Sequence, residues 1–493
     1  MPDYLKKLGL LFCLLCGLPL LHAALSAPRT WAAAETPVAF WAWRTQAPAS
    51  DEISQTGATR LFLRAGQFDS ARGEVRRIRA VEGKLPDAIE IHLVYNATRD
   101  LLARFETIEP PALARIVAET FAADLDRAAR DGACVAGLQL DLDVPTRLLP
   151  RYATVLRLLR AGLPQGVKLS ITGLPTWMDS PHIGSLLDEV DFWTPQFYGW
   201  VIPDRIDKLI PISSPATVRQ AVVRARELDR PFYAGLAAYG YAVLYSPEGK
   251  LLEVRGDLDP ALVAGHSQFE LTESRPFDNQ PAAEWRTVYR ALGDTVLDGL
   301  VVRRGDQLML DAPSAATLRA SARAVREEAG ERLLGISVFR LPGAGDPTTL
   351  TAAEIAAALA DRETTIAAEL KIERPPRTDD NRLVFNATNT GTASARPGPG
   401  AMALELRIPP ASLREISGLS GFTGVETLCD DARSCSLRRA SLVRLKTHAW
   451  PPGARARANL IFASASPPAV SAQITVQADD GRTWQEQKEI VIR

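Results

Sequence analysis

The sequence predicts an α/β protein: a (β/α)8 TIM-type barrel with an inserted α+β subdomain, followed by a C-terminal β-sandwich. Three observations carry this prediction. Across residues 38–360, short apolar runs alternate with amphipathic helical stretches, the rhythm of parallel strands covered by helices. Eight such runs fit a closed parallel barrel, and no Gly-rich dinucleotide fingerprint follows the first run to favour an open doubly wound sheet. From about Thr364 the helical stretches stop, and alternating strands with Asn, Gly and Pro turns take over. A chain of 493 residues also exceeds what one compact core holds.

The N-terminus reads as an export signal. Lys6 and Lys7 precede an uncharged stretch over residues 8–28 that contains LGLLFCLLCGLPLL. Ala32, Ala33 and Ala34 before Glu35 supply the small residues a signal peptidase requires, so residues 1–34 are expected to leave. The alternative is an uncleaved anchor, the one membrane association foreseen. Leu15 in front of Cys16 argues against lipidation. The expected location is periplasmic or secreted, in a bacterium.

Residues 35–362 form the expected barrel. Its strands are read at 38–44 (VAFWAWR), 60–66 (RLFLRAG), 89–96 (IEIHLVYN), 135–145 (VAGLQLDLDVP), 168–175 (KLSITGLP), 190–199 (VDFWTPQFYG), 232–240 (FYAGLAAYG) and 333–342 (LLGISVFRLP). These runs are bounded by Gly, Pro or Asp, as buried parallel strands are. Between them, PALARIVAETFAADLDRAARDG, RYATVLRLLRAGL and PATVRQAVVRARELD repeat apolar residues every three or four positions. Residues 241–330 are too long for one βα connection and are read as the inserted subdomain, starting with a hairpin at YSPEGKLLEV. Residues 363–493 are expected to form an immunoglobulin- or fibronectin-like sandwich. There, Cys429 and Cys435 in ETLCDDARSCSL are close enough to close a small disulfide in an oxidising compartment; two reduced surface thiols are the alternative. The apolar surroundings of Cys134 predict a buried thiol.

Several chemistries are disfavoured. Lys+Arg of 57 against Asp+Glu of 58 leaves a net charge of −1 and no broad basic footprint, so nucleic acid is not expected as a partner. The five His show no metal-ligand spacing, and there is no phosphate loop or nucleophile elbow; no metal and no cofactor are expected.

The fourth strand is different. Gln139, Asp141 and Asp143 alternate onto one face, while Leu138, Leu140 and Leu142 face the helices. The α-carbons of the two acids are then about 6.6 Å apart. Two adjacent carboxylates raise the pKa of one of them, which places a proton donor beside an anion. The alternative is a charge-satisfied barrel interior, with the acids paired to Arg64 or Arg340. Trp43 and Trp177 near strand ends are candidates for stacking on sugar rings, with core packing as the alternative. Tyr95 and Asn96 close the third strand as polar liners.

The register Ala136-Gly137-Leu138-Gln139-Leu140-Asp141-Leu142-Asp143 resembles the strand-four motif D-G-x-D-x-D-x-E of chitinases and their relatives in glycoside hydrolase family 18. The resemblance implies that Asp143 is the general acid and that Asp141 orients the substrate. PQFYG resembles the family's M-x-Y-D, which implies roles for Gln196 and Tyr198. AGLAAYG resembles G-L-P-x-Y-G and brings in Tyr239; Phe339 stands where the family often has a cleft-floor Trp. The departures are Ala136 and Gln139 for acids, and Asp143 for Glu, which withdraws the carboxyl by about 1.5 Å. The chain also resembles an uncharacterised bacterial group, domain of unknown function 3142, a resemblance that implies no established activity. Together these point to an exported glycoside-hydrolase-like barrel acting on a glycan or polysaccharide. The alternative is a non-catalytic polysaccharide-binding or structural envelope protein.

Overall fold

The computed structural model describes residues 36–71, 74–199, 201–277, 284–343, 345–375, 381–396, 398–463, 470–479 and 481–490. The expected signal peptide and the thiols of Cys13 and Cys16 lie outside the described residues.

Strands β1 (Val38–Ala42) and β2 (Arg60–Ala71) start the barrel, and β2 turns back as the antiparallel β3 (Glu74–Ala80). β4 (Glu90–Ala97), β5 (Cys134–Asp141), β6 (Lys168–Gly173), β7 (Phe192–Pro195) and β8 (Phe232–Ala237) follow in parallel order. The strand Leu333–Phe339 then pairs with both β8 and β1, and β1 pairs with β2, which closes a barrel of eight parallel strands. The hairpin arm β3 was not foreseen. Its sequence EVRRIRA is mostly exposed and charged, so the apolar signal shrinks to Val75 and Ile78.

The barrel interior is packed with side chains. Trp41, Phe62, Val94, Phe192 and Tyr233 meet there, with Phe62–Tyr233 and Phe192–Tyr233 edge-to-face at 5.8 and 5.5 Å. Gly137 on β5 is required by this packing, since a Cβ would lie 2.4 Å from His92 Nδ1 and 2.6 Å from the Lys168 carbonyl. At the N-terminal end, Arg60 donates Nε to Glu90 Oε1 at 2.7 Å, an ion pair that serves stability.

Outside, the helix Pro110–Asp131 begins with Pro at its first turn and ends at Gly132, whose φ is 76°. It buries Leu113, Val117, Phe121 and Ala128, positions three or four apart, against the strands. Between β8 and the closing strand, the described residues of 241–312 form a five-stranded antiparallel sheet, a two-stranded hairpin and the five-residue helix Pro260–Ala264. The helix Ala315–Glu328 then returns to the barrel and buries Leu318, Ala322 and Val325 in its core. The described residues of 368–490 form a four-stranded and a five-stranded antiparallel sheet that share one apolar core, including Phe385, Leu404, Leu445, Leu460 and Ile474. Cys429 and Cys435 are joined there, with Cα atoms 5.9 Å apart, while Cys134 at the start of β5 is half-buried. Asp479 from these sheets caps the helix Ala315–Glu328, accepting from the Ala315 N–H at 2.8 Å.

Candidate functional site

Loops at the C-terminal ends of barrel strands are where chemistry is sought. β5 delivers Asp141 to that mouth, in direct register with Asn96 of β4. Asp141 Oδ1 accepts a hydrogen bond from Thr172 Oγ1 of β6 at 2.6 Å. Two residues on, Asp143 is exposed at the rim, while Leu138, Leu140 and Leu142 are buried on the helix side. Enclosure by the mouth, with a contribution from the negative charge of Asp141, pushes the Asp143 carboxyl up to about 7, although water reaches its tip. Asp141 is also raised by burial, opposed by Thr172 and by the charge of Arg64.

Neither acid is locked to an arginine. Arg340 is engaged elsewhere, with Asp346 at 2.9 Å. Arg64 acts on Asp141 through its field but forms no ion pair with it among the described residues. Instead Arg64 donates Nε to Asn96 Oδ1 at 3.1 Å, and its guanidinium carbon lies 4.8 Å from the Trp43 ring centroid.

The opposite wall is aromatic. Phe339 meets Trp43 at 5.8 Å, Tyr198 at 6.0 Å and Tyr239 at 5.1 Å, an arc of rings rising from four strand ends. Tyr198 is held from behind: the next residue, Gly199, donates to the Ile212 carbonyl at 2.8 Å, and the Ile212 N–H donates to Asp311 at 3.1 Å. Its hydroxyl has no hydrogen-bond partner among the described residues. Burial raises its pKa, reinforced by Tyr239 and by both acids. Gln196, half-buried, precedes it on the same loop.

Three residues expected to touch a ligand do not reach the mouth. Gln139 is fully buried: its carbonyl accepts from Trp41 Nε1 at 2.8 Å, and its amide donates to Thr194 Oγ1 at 3.1 Å. It cross-links three strands inside the barrel. Tyr95 points outward, because its neighbour Asn96 takes the inward face, and its hydroxyl donates to Asp124 at 2.6 Å beneath the helix Pro110–Asp131. Trp177 is buried under the loop after β5, donating Nε1 to the Val144 carbonyl at 3.0 Å. Thus the mouth gathers Asp141, Asp143, Asn96, Trp43, Gln196, Tyr198 and Tyr239, with Arg64, Thr172 and Phe339 added. Thr172 was missed, although Ser170 and Thr172 alternate through an apolar strand and so announce an inward polar face.

A cavity of about 830 Å³ lies elsewhere, lined by residues such as Asp311, Thr348, His448 and Trp450 where the barrel meets the C-terminal sheets. None of the mouth residues lines it. Among the described residues, no group of His, Cys, Asp and Glu is placed to hold a metal ion, and no helix is long and apolar enough to cross a membrane.

Residues 107–344 match the family described as Domain of unknown function (DUF3142). The DUF3142 match runs from the helix before β5 to just past the closing strand, and so includes both acids, Tyr198, Tyr239 and Phe339. No curated protein matches. Among solved structures, the chain is similar to the Bacillus cereus spore cortex-lytic enzyme SleL, at 16% identity over 66% of this chain and 74% of that one, TM-score 0.43. It is also similar to a chitinase from Chromobacterium violaceum ATCC 12472, at 15% identity over 66% and 100%, TM-score 0.44. A family 18 N-acetylglucosaminidase from Paenibacillus barengoltzii matches at 13% identity over 66% and 99%, TM-score 0.40.

Proposed function

We propose that this barrel acts on a glycan as a glycoside hydrolase, with Asp143 donating the proton to the glycosidic oxygen. The observation that carries the reading is the Asp141–Asp143 pair at the strand-end mouth, open to water and unpaired with arginine. A carboxyl poised near pH 7 beside a second carboxyl has the acidity that general acid catalysis requires. Asp141, fixed by Thr172, orients the reacting group, and the Tyr198 hydroxyl has a hydrogen bond to offer a ligand. The arc of Trp43, Phe339, Tyr198 and Tyr239 supplies faces on which a sugar ring can stack.

A second reading, glycan binding without hydrolysis, is favoured by two specific features. Asp143 is one methylene shorter than the family acid, and a displacement of about 1 Å can cost roughly a hundredfold in rate. Gln139 occupies the place of a family acid and is committed to holding Trp41 and Thr194. We place the protein in the periplasm or outside the cell, a location with which the Cys429–Cys435 disulfide agrees. The C-terminal pair of sheets is read as an immunoglobulin- or fibronectin-like sandwich.

The test is a glycan panel on the purified chain, scoring binding and reducing-end release together. Release supports the hydrolase; binding without release supports the second reading. An absence of binding across the panel rejects both.

A further inference from the structure

We infer that the glycan carries a singly charged oxyanion, a carboxylate or a sulfate ester, and that Arg64 receives it; this rests on the glycan reading above. Around the barrel the chain's other half-buried arginines are paired with carboxylates or, like Arg151 and Arg326, have their donors taken by backbone carbonyls. Arg44 pairs with Glu52 at 2.6 Å, Arg77 with Asp124 at 3.0 Å, and Arg340 with Asp346 at 2.9 Å. Arg64 is treated differently. Its Nε is taken by the neutral amide oxygen of Asn96, one face rests against Trp43, and its remaining N–H donors have no partner among the described residues.

Those two contacts fix the guanidinium plane without neutralising it. A planar fork held in this way matches an oxyanion in bidentate fashion, which a lysine would not do. Arg79, exposed on β3 opposite Gln67 of β2, adds a second positive charge to the same flank. Facing this flank are Asp141 and Asp143. The mouth is therefore polarised, basic over β2 and β3 and acidic over β5. Asn96 separates the two, and because Arg64 is in register with Gln139 through Val94, Asp141 stands two strand spacings across and two residues further along, roughly 12 Å away at the backbone. An oxyanion on one sugar could rest on Arg64 while a neighbouring glycosidic bond lies at the acids. A doubly charged phosphate fits less well, because it would face two carboxylates with one guanidinium in contact.

The test uses probe pairs that differ in charge on one backbone: oligogalacturonate with its methyl ester, and dextran sulfate with dextran. Wild type, Arg64→Gln and Arg64→Lys are compared, with melting temperature recorded for each. We expect the charged member to bind at least tenfold more tightly than its neutral partner. Arg64→Gln should reduce that preference by about 10- to 100-fold, the range for a hydrogen bond to a charged group. Arg64→Lys should keep part of it, and added salt should weaken it. Which pair shows the preference separates carboxylate from sulfate. Equal affinity for neutral and charged members overturns the inference, as does a loss in Arg64→Gln that is the same for both; either leaves the glycan reading intact. Failure of all four probes and of neutral chitin oligosaccharides to bind removes the glycan reading, and the inference with it.

Discussion

Replacing Gln139 with alanine separates scaffold from site. In the folded barrel, Gln139 accepts from the buried Trp41 indole at 2.8 Å and donates to Thr194 at 3.1 Å; the 3.4 Å approach to Ser170 is too long to count for much. Each good bond contributes about 1 kcal/mol net, and leaving the Trp41 N–H unpaired costs about 1–2 kcal/mol more. Gln139→Ala should therefore destabilise the barrel by about 3 kcal/mol. Followed by tryptophan fluorescence, this lowers the urea midpoint by about 1 M for a domain of this size. Glycan affinity measured well below the midpoint should stay within about twofold, because Gln139 never reaches the mouth. An unchanged midpoint together with lost binding would instead assign Gln139 to the ligand.

Two further substitutions probe the same division. Asp143→Asn should change stability in a pH-dependent way. The unfolded carboxyl ionises near its ordinary value of 3.8 and the folded one at about 7. Between those values the folded chain holds a proton that the unfolded chain lacks, so wild-type stability falls as pH rises through that window. The melting temperature of Asp143→Asn relative to wild type should thus climb from pH 4 to pH 8, by about 1–2 °C given the exposure of the group; a difference that is flat with pH would contradict the raised pKa. Tyr95→Phe removes the hydroxyl that donates to the buried Asp124 and should cost about 1–2 kcal/mol in urea titration, with glycan binding unaltered.

Much of this architecture could be read from the chain because each level of the pattern agreed. The barrel strands are apolar runs punctuated by Gly and Pro, and the helix Pro110–Asp131 carries both its starting Pro and its closing Gly132. Polar alternation in β5 correctly separated Asp141 and Asp143 from the leucines, since a strand has no other way to place them. Alternation also gave the reason Tyr95 and Asn96 cannot both line the mouth: adjacent strand residues face opposite ways, and only Asn96 does. What alternation does not give is depth. Gln139 lies on the same face as the acids but one pleat lower, inside the packed barrel, where a polar side chain serves other side chains. Loop residues were harder still. Trp177 follows a strand end, yet a turn of 3-10 helix folds it back under Val144. β3 escaped because an exposed hairpin arm needs no apolar face to form, only the backbone pairing that β2 offers.

In the proposed hydrolase, the Asp143 carboxyl, still partly protonated near neutral pH, donates the proton. The most direct measurement is the pH dependence of reducing-end release on the best glycan of the panel, for wild type and Asp143→Asn side by side. The wild-type rate should decline above about pH 7, and the variant should lose about 10²- to 10⁴-fold with binding retained. A variant that releases sugar at the wild-type rate, or a wild-type rate that still rises through pH 8, would contradict that role.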